Sequence, residues 1–537
     1  MADNDHQPSA PVASASTSSS SPSEINLLTL NCWGLLHISA LRSPRISHIG
    51  RSLSSMSPPP DIVCLQELFT QQDYRLIRLE TRQVLPYGKF YHSGAFGGGL
   101  AVLSRWPIQE SSMFPYPLNG RPTAFWRGDW YVGKGIACAR IRFGPGPRDV
   151  IEVFNTHTHA PYEHGPNDSY ICHRTAQAWE MSKLLRGAAE RGHLVAALGD
   201  FNMLPLSLAH RLITSHAPVR DVWRVLHPDS SLGASHHPAE ASRSLPVPTV
   251  DFNLRENGAT SNNTSNTWRW NKNQRNKLRS GDPCPVDIHA PDPHGQRLDY
   301  IFTSTGHPPA HTGDDSSPGW VVSSASVAMT HRHPDLHVSL SDHYAVQATL
   351  QLYTPSPARR SAGGGSQRTP SRPATSSTEA LRSGAYLAPP DSPTSSTRGG
   401  KVPDSDYDAQ LRYPNSQDTA RSLPVYDEIL AMVRWYTARE QHQRSWRAMH
   451  FYASVVVWLA CLVAVWFSPG NFVAFILVLV ASLGLTAGVV NGLLALLFFS
   501  SELRSLKEFE WEIRNAKAVA SGNLVALADD ELDHKKG

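Results

Sequence analysis

Charged side chains are missing from one long stretch near the end of the chain. Between Ala448 and Ser501 there is no Lys, Arg, Asp or Glu. Two apolar runs, 451–467 and 472–499, fill this stretch, and "SPGN" separates them. As helices they would measure about 26 Å and about 42 Å, enough to cross the hydrocarbon core of a bilayer. The alternative, a hairpin buried in a soluble domain, is disfavoured because neither run has an amphipathic face.

Basic residues flank the uncharged stretch on both sides: Arg434, Arg439, Arg444 and Arg447 before it, and Arg504, Lys507 and Arg514 after it. Positive residues favour the cytosolic side of a membrane. The pattern therefore predicts two transmembrane helices over 448–501, with a cytosolic tail over 502–537. Gly484, Gly488 and Gly492 repeat a small-x-x-x-small spacing, which predicts close approach of the two helices or self-association of the protein.

Cysteine is also scarce, and the N-terminus carries no targeting signal. The six cysteines form no C-x-x-C pair, so neither a disulfide framework nor a zinc site is expected. No Lys or Arg precedes Arg42 and no apolar run opens the chain, which excludes a secretory signal and an Arg-rich transit peptide. With 49 basic and 46 acidic residues, the bulk charge gives no reason to expect a nucleic-acid partner.

Composition divides the rest of the chain into unlike segments. Residues 1–23 are rich in Ser, Ala and Pro and are predicted to be a disordered tail. Residues 24–352 alternate short apolar runs with polar loops and are predicted to form the catalytic domain, within which the Asn- and Ser-rich segment 228–296 reads as an insertion or lid. The Pro-, Ser- and Gly-rich segment 353–423 is predicted to be a disordered linker, and 424–447 a juxtamembrane segment.

Eight apolar runs in the catalytic domain predict strands: "INLLTLNCW", "DIVCLQEL", "GGLAVLSR", "GIACARIRF", "VIEVFNTHTH", "LVAALGDFN", "LDYIFTS" and "SDHYAVQATLQL". Between the fifth and sixth runs, apolar residues from Ile171 to Ala188 recur at a spacing of about 3.6 and predict a helix.

Polar residues stand where these predicted strands end. In "GDFN", Asp200 and Asn202 project to the same side of an extended segment, although the same letters would also suit a turn. The other residues of this kind are Asn31, Glu67, His157, His159, Asp299, Asp342 and His343. So many acids, amides and histidines at the ends of separate strands would converge only if the sheets were built to hold a site.

These residue types suit hydrolysis at phosphorus. Glu67, with Asn31 nearby, offers the hard oxygen ligands that Mg²⁺ prefers, and such an ion stabilises charge that develops on a phosphate. A histidine of near-neutral pKa can take a proton from an attacking water, and a carboxylate can fix its tautomer. The pattern predicts an Mg²⁺-dependent enzyme that uses a histidine as its base.

Seven short motifs carry a family resemblance: "TLNCWG", "LQE", "GGGLAVLSR", "THTHA", "GDFN", "RLDYIF" and "SDH". In this order they resemble the endonuclease/exonuclease/phosphatase superfamily, which has the DNase I-like fold. The resemblance implies a four-layer α/β sandwich, in which two packed β-sheets are flanked by helices. With the C-terminal transmembrane hairpin, this is the expected architecture.

The resemblance also implies a role for each site residue. Glu67 would bind Mg²⁺ with help from Asn31, and Asp342 would lie on the metal side. His343 would be the general base, oriented by Asp299.

On the substrate side, Asp200 would position the attacking water and Asn202 the phosphate. His157 would steady the transition state or protonate the leaving oxygen, with His159 as the second choice for that role.

Two further segments resemble one branch of the superfamily, the neutral sphingomyelinases and the fungal inositol phosphosphingolipid phospholipases C. In "FWRGDWYVGKGIACARI", Asp129 and Lys134 match an Asp and a Lys that control activation in that branch. A solvated turn is the alternative interpretation. In "SNTWRW", Trp268 and Trp270 would lie at the membrane interface.

The expected function is Mg²⁺-dependent, phospholipase C-type hydrolysis of phosphosphingolipids to ceramide and a phosphorylated headgroup. Phosphatidylserine or cardiolipin would be the anionic activator, and the headgroup stays open between inositol phosphate and phosphocholine. The expected locations are the endoplasmic reticulum and the mitochondrial outer membrane, with the catalytic domain in the cytosol. The alternatives are a membrane-tethered nuclease, a phosphoinositide phosphatase, and an adaptor that has lost its activity.

Overall fold

The structure is a computed structural model that describes residues 21–163, 168–282, 284–307, 318–355, 410 and 418–522. Most of the predicted N-terminal tail and of the predicted linker lies outside the described residues, as does the end of the predicted C-terminal tail.

In the described part of the chain, twelve strands form two mixed sheets. Their bounds are β1 (Glu24–Asn31), β2 (Ile62–Gln66), β3 (Tyr87–Tyr91), β4 (Leu100–Ser104), β5 (Ile108–Pro115), β6 (Gly135–Arg142), β7 (Val150–His157), β8 (Leu194–Asp200), β9 (Arg220–Asp221), β10 (Asp299–Thr303), β11 (Gly319–Ala328) and β12 (Ala345–Tyr353). The first sheet has the order β11-β12-β1-β2-β4-β3, and the second has the order β5-β6-β7-β8-β10-β9. All eight strands predicted from apolar runs are present.

Helices of the catalytic domain are α1 (Arg42–Ser55), α2 (Gln71–Thr81), α3 (Asp129–Val132), α4 (Ile171–Glu190), α5 (Leu208–His216), α6 (Val222–Leu226), α7 (Pro238–Ala241), α8 (Val250–Phe252) and α9 (Lys272–Arg279). Helix α4 is the one that the apolar stripe predicted. The C-terminal helices are α10 (Asp418–Trp466), α11 (Asn471–Leu493) and α12 (Ser500–Ser521), and a π-helical turn over 494–499 joins the last two without a break.

The domain has the four layers that the resemblance implied. One core lies between the two sheets, where residues such as Val102 of the first sheet and Val153 of the second are fully buried. A second core lies between the first sheet and α1 and α2, and a third between the second sheet and α4 and α5. Strands in the middle of both sheets are therefore buried on both faces, which is why they read as continuous apolar runs.

Strand polarity brings the functional residues to one edge of the sandwich. β1 pairs with β2 in parallel, and β7 pairs with β8 in parallel, so all four strands end at the same edge. β10 runs antiparallel to β8 and begins at that edge, where Asp299 faces Asp200. A buried amide pair ties the sheets together below the edge, because the Gln66 amide donates to Asn155 Oδ1 at 2.7 Å.

The segment predicted as an insertion or lid is packed onto this edge. Within it, the Asp292 carboxylate is fully buried and accepts hydrogen bonds from the amides of Asn253 and Asn263, at 2.9 and 2.7 Å, and from Thr264. A charge held by this many donors fixes the segment to the domain.

Two of the C-terminal helices, α10 and α11, form the expected hairpin, and both are long and apolar enough to cross a membrane. Gly488 and Gly492 lie against the other helix, since an added Cβ at Gly488 would meet the Ser454 hydroxyl and one at Gly492 the Phe451 ring. An added Cβ at Gly484 would meet nothing. Helix–helix packing thus uses two of the three glycines.

The segment that follows the apolar stretch differs from the prediction of a tail. Residues 500–521 continue as helix α12, which packs with the first half of α10 onto α4 and α5. Ile429 and Tyr436 of α10, and Leu506 and Ile513 of α12, are fully buried in the third core. In both helices the apolar residues recur at spacings of three, four and seven residues, a pattern that is visible in the sequence. The surface that they cover belongs to α4 and α5, which lie far away along the chain.

Candidate active site

Asp200 ends β8 at the centre of the site and is buried. Its Oδ1 accepts a hydrogen bond from the Asn202 backbone N–H at 3.0 Å, and its Oδ2 accepts from the Asn31 amide at 3.0 Å. The preceding Gly199 is required because an added Cβ would lie 2.0 Å from the Thr156 carbonyl oxygen. The chain then turns, and Asn202 has a φ of 44°, in the left-handed region that Asn tolerates better than most residues. "GDFN" is therefore both a strand end and a turn.

His343 stands next to Asp200 and is held by a second carboxylate. Its Nδ1 lies 2.8 Å from Asp299 Oδ2, and its Nε2 lies 3.9 Å from Asp200 Oδ2. Nearby ligand atoms of Asp200, Asp299 and His343 all lie within 4.8 Å of one another. The imidazole is thus fixed through one nitrogen and presents the other to the site.

Glu67 and His157 complete the group from the other side. Glu67 follows β2 with a φ of 52°, a conformation that costs a non-glycine residue energy and is common at functional sites. His157 Nε2 lies 3.9 Å from Glu67 Oε1 and 3.7 Å from Asp200 Oδ2. The structure therefore brings Glu67, His157 and Asp200 together with Asn31, whose amide donates to Glu67 Oε1 at 3.1 Å.

Electrostatics at the site are dominated by buried carboxylates. Burial raises the pKa of Glu67 to about 7, and the neighbouring charge of Asp342 adds to the rise. Burial also raises the pKa of Asp200 to about 6. Burial alone would lower the pKa of His343, but the charges of Asp299 and Asp200 raise it well above its usual range. Burial lowers the pKa of His157, and Lys134 lowers it further.

The side chains present fit a hard divalent cation. Glu67 Oε2 is buried and has no hydrogen-bond partner among the described residues. No Lys or Arg of the described chain lies within ion-pair distance of Glu67, Asp200, Asp299 or Asp342. Crowded carboxylate oxygens without a basic partner are a donor set that Mg²⁺ accepts. As placed, Asn31 uses its amide N–H groups on the carboxylates and its Oδ1 on the Trp33 N–H, so metal binding by Asn31 would require the amide to turn over.

Asp129 and Lys134 lie beside the site and are not solvated, which excludes the solvated-turn interpretation. Both are buried, with Lys134 Nζ 3.5 Å from Asp129 Oδ1. Lys134 Nζ also donates to the Thr158 carbonyl at 2.9 Å, and the Asn202 amide donates to the same oxygen at 3.2 Å. Sequence reasoning missed Thr158, whose carbonyl connects the Asp129–Lys134 pair to the phosphate side of the site, because a backbone acceptor leaves no signal in the side-chain pattern.

The structure corrects the expectation for Trp270, whereas that for Trp268 stays a prediction. Trp270 is only 7% exposed and its indole N–H donates to the Thr264 carbonyl, so it has no face to offer to a membrane. Trp268 is half-buried, donates to the Ser339 carbonyl and packs on Trp33 with ring centroids 4.6 Å apart. Both indoles hold the 228–296 segment to the domain.

His159 faces away from the acidic group. It is fully buried, its Nδ1 lies 3.0 Å from the Gln177 amide nitrogen, and its ring stacks on His173. Burial holds the pKa of His159 well below its usual range. Of the two histidines in "THTHA", only His157 reaches the site.

A four-layer α/β sandwich with an acid-held histidine and crowded carboxylates at its strand ends is the arrangement of a hydrolase that acts at phosphorus. The comparisons with known proteins agree with this class. The chain belongs to the Endonuclease/Exonuclease/phosphatase family, whose sequence profile matches residues 28–343. It falls in the branch that the sequence motifs indicated, and it is a phosphoric diester hydrolase.

Three relatives illustrate the branch. The chain is 35% identical to "Inositol phosphosphingolipids phospholipase C" of Schizosaccharomyces pombe, over 94% of this chain and 96% of that protein. It is 30% identical to the protein of the same name from Saccharomyces cerevisiae, over 92% of this chain and 90% of that protein. It is 32% identical to human "Sphingomyelin phosphodiesterase 2", over 37% of this chain and 46% of that protein. The similarity to the two yeast proteins thus includes the C-terminal helices.

Proposed function

We propose that this protein hydrolyses inositol phosphosphingolipids in a membrane, releasing ceramide and the phosphorylated headgroup. Water adds to phosphorus, the bond from phosphorus to the ceramide oxygen breaks, and that oxygen leaves with a proton. The end-to-end similarity to two inositol phosphosphingolipid phospholipases C supports the inositol headgroup, because the similarity to the human sphingomyelin phosphodiesterase covers much less of the chain. Sphingomyelin is the second substrate to test.

The contact between His343 and Asp299 carries the catalytic proposal. Asp299 fixes the proton on Nδ1, so that Nε2 of unprotonated His343 can take a proton from water. Because the charges of Asp299 and Asp200 raise the pKa of His343, the unprotonated form is favoured at higher pH. Asp200, 3.9 Å from that nitrogen, holds the water on the other side. Asn202 and the neutral imidazole of His157 donate hydrogen bonds to the phosphate oxygens, and the leaving oxygen takes its proton on the His157 side.

Mg²⁺ is proposed as the cofactor. Glu67 would hold it through the oxygen that lacks a partner, with Asp342 nearby. When bound, the ion would neutralise phosphate charge and stabilise the charge that develops on the oxygens at phosphorus. Burial and the charge of Asp342 raise the pKa of Glu67, and a cation held there would lower it again.

An anionic phospholipid, phosphatidylserine or cardiolipin, is proposed as the activator that acts through Asp129 and Lys134. A buried lysine that pairs with one carboxylate and one carbonyl can exchange partners only if the surrounding backbone moves, and Gly133 at φ 62° lies at the adjacent turn. If Lys134→Ala and Asp129→Ala keep full stimulation by phosphatidylserine vesicles, the pair has no part in activation. Self-association through Gly484, with Gly488 and Gly492 packed inside the hairpin, stays a separate proposal.

Hydrolysis by the full-length purified chain, in vesicles, tests the function. Four substrates are compared under one set of conditions: inositol phosphosphingolipid, sphingomyelin, a phosphoinositide and DNA. We expect turnover of the first, with loss of nearly all activity in excess chelator and in Glu67→Ala. The exposed Glu190→Ala on α4 is the matched carboxylate control. Turnover of DNA or the phosphoinositide alone would replace the proposal, and no turnover of any substrate would favour an inactive adaptor.

Protease protection in sealed vesicles tests the proposed topology. The catalytic domain and the C-terminus are proposed to face the cytosol, in the endoplasmic reticulum or the mitochondrial outer membrane. An N-terminal epitope should be digested without detergent, and its protection would overturn the cytosolic placement.

A further inference from the structure

Five aromatic side chains form a patch on the protein surface. Four of them belong to the 3₁₀ turn over 125–127 and to α3, and the fifth is Phe96. Trp126 is 81% exposed and Phe125 is 62% exposed. Tyr131 lies at the centre of the patch, with its ring centroid 5.6 Å from that of Phe96, 5.1 Å from that of Phe125 and 5.0 Å from that of Trp130. We call these five residues the aromatic patch. Contiguous exposed aromatic rings are rare on soluble proteins and mark an interaction surface.

The aromatic patch adjoins the active site. Residues 129–134 follow Trp126 directly, and Lys134 within them donates to the Thr158 carbonyl next to His157. On the other side, the backbone N–H of Phe96 donates to the Tyr131 carbonyl at 3.1 Å. A surface that meets the patch therefore meets the edge of the sandwich where the substrate phosphate must enter.

Contacts along α10 give the patch a direction relative to the membrane. Near the start of α10, Glu428 contacts Arg211 of α5, and one turn later Met432 contacts Thr175 of α4. Further along, Tyr436 contacts His173. The catalytic domain thus lies along α10 with α5 at the end far from the membrane and the start of α4 at the near end.

The contacts between the catalytic domain and α10 that lie nearest the apolar span are made by Arg121, in the segment that carries the patch, and by Ser169. Arg121 donates to Tyr436 at 3.1 Å and pairs with Glu440, and Arg439 donates to the Ser169 carbonyl. The Arg127 guanidinium donates to the Ser169 hydroxyl at 2.9 Å. Residues 121–131 are therefore held at the end of the catalytic domain that faces the membrane.

From these positions we propose that the aromatic patch inserts into the headgroup layer of the bilayer, as a second membrane contact beside the helical hairpin. The proposal rests on the membrane location of the substrate in the proposed function. From Glu440 to Phe451, where the apolar run begins, α10 rises about 16 Å. The headgroup layer occupies the part of this rise that lies next to Phe451. Trp126 follows Arg121 by five residues, in the turn that the Ala124 N–H and the Arg121 carbonyl close and in the 3₁₀ turn over 125–127, so it stays near the membrane-facing end of the catalytic domain.

The chemistry of the patch suits a lipid interface better than a protein partner. Trp and Tyr rings favour the headgroup level, where an apolar ring and a polar edge are both satisfied. Arg127 in the same segment is paired with Glu163 and lies over Tyr162, so the patch offers aromatic rings without an unpaired charge beside them. The patch would hold the active-site edge of the catalytic domain against the headgroup layer, which contains the phosphate of the substrate.

Hydrolysis by Trp126→Ala in the full-length chain tests the catalytic consequence. We expect about a tenfold rise in KM for substrate in vesicles, since burial of one large aromatic ring is worth about that factor, and an unchanged rate on substrate dispersed in detergent. Trp126→Phe should recover most of the loss. The control is Trp511→Ala on α12, which is also exposed, at 55%, but lies beside the part of α4 that contacts Glu512. Equal losses for both substrates, or for both tryptophans, would overturn the proposal.

Fluorescence quenching tests insertion without any substrate. The full-length protein is placed in vesicles whose lipids carry bromine on the upper acyl chain, and the quenched fraction is compared between wild type, Trp126→Phe and Trp511→Phe. Only the removal of Trp126 should lower the quenched fraction. If the proposed substrate is wrong, this difference persists. If the patch binds a protein instead, Trp126→Phe and Trp511→Phe give the same quenched fraction, and neither falls below that of the wild type.

Discussion

Two of the buried groups of titratable side chains in the described residues differ in whether Lys or Arg of the chain supplies the positive charge. In the active site, Glu67, Asp200 and Asp299 meet two histidines and no Lys or Arg among the described residues within ion-pair distance. In the second group, buried Glu440 of α10 pairs with Arg121 of the catalytic domain.

The second group, which we call the docking cluster, lies between the catalytic domain and the helices that flank the apolar span. It comprises Arg121 and His173 on one side, and Tyr436, Glu440 and Glu502 on the other. His173 Nε2 lies 3.2 Å from Glu502 Oε1, and Arg439 also reaches Glu440, at 2.9 Å. The docking cluster therefore contains its own cations, although Glu440 Oε2 and both carboxylate oxygens of Glu502 have no hydrogen-bond partner among the described residues.

The comparison teaches how a site differs from a structural ion-pair network. Both groups hold buried carboxylates of raised pKa, including Glu67 and Glu440, each at about 7. Perturbed pKa values alone would therefore rank them equally. Buried carboxylate oxygens without a hydrogen-bond partner also occur in both groups. What distinguishes the active site is that no Lys or Arg of the described residues pairs with its carboxylates, so it is the group that can take a cation.

The largest expected difference between the two groups is in kcat, after one histidine is removed from each. His343→Ala should lower kcat by up to about 10⁴-fold, because the base that takes the proton from water is lost. His173→Ala should leave kcat within about twofold, since His173 contacts the docking cluster, Tyr170 and the buried His159, and none of the active-site residues. Turnover of substrate dispersed in detergent measures both.

Asp299→Asn should fall between these two values, because the imidazole of His343 remains but loses the carboxylate that orients it. Melting curves must show that each variant is folded. A loss of kcat in His173→Ala as large as that in His343→Ala would mean that the docking cluster also contributes to catalysis.

Arg121→Ala tests whether the docking cluster depends on its internal cation. Removing a partner from a buried ion pair costs about 3 kcal/mol or more, so docking of the helices should weaken by about 150-fold. The measurement uses a chain with a protease site placed within 356–409 and a tag on the C-terminal helices. After cleavage in detergent, the fraction of catalytic domain that stays with the tagged helices reports docking.

Arg211→Ala is the matched control for Arg121→Ala. Arg211 also links the catalytic domain to α10, but its pair with Glu428 is exposed and should contribute at most about 1 kcal/mol. Adding Glu502→Gln to Arg121→Ala should recover part of the docking, because one unpaired buried charge is removed. Equal losses from Arg121→Ala and Arg211→Ala would contradict the role of Arg121.

The same contrast explains how much the sequence could predict. Active-site residues stand directly after apolar runs, so Asp200 and Glu67 were visible as polar interruptions at strand ends. Short or exposed strands such as β3, β5 and β9 were missed because they carry no continuous apolar run. Strand order, which brings β8 and β10 together, depends on the whole fold.

The docking cluster could not be found in the sequence. Glu440 and Glu502 lie in charged, helical segments where an acidic residue normally faces water. Arg121 and His173 lie far from both in the chain, and only tertiary packing brings the four together. Trp270 was misplaced for a related reason, since an indole can face a lipid or a protein interior and the motif does not distinguish them.

The smallest expected effect is the pH dependence of docking. Titration of the carboxylates and titration of the histidine change docking in opposite directions, so the direction of the effect shows which groups titrate. Burial raises the pKa of Glu440 and of Glu502 to about 7, while burial and Arg121 lower the pKa of His173 to about 3. Burial also raises the pKa of Tyr436, which stays neutral, and Arg121 and Arg439 keep their charge. In the separated pieces, the carboxylates return to about 4.3 and the histidine to about 6.5.

As the pH falls from 8 to 5, the docked state therefore takes up about two protons, on Glu440 and Glu502, and the separated state about one, on His173. Docking should strengthen over this range by up to about tenfold per pH unit, and this gain is lost as the pH rises through about 7. The tagged, cleaved chain described for Arg121 measures it at pH 5.5, 6.5 and 8. In the double variant Glu440→Gln/Glu502→Gln only His173 remains to titrate, so docking should now weaken as the pH falls below about 6.5. A variant that keeps the wild-type direction would show that the protons are taken up elsewhere.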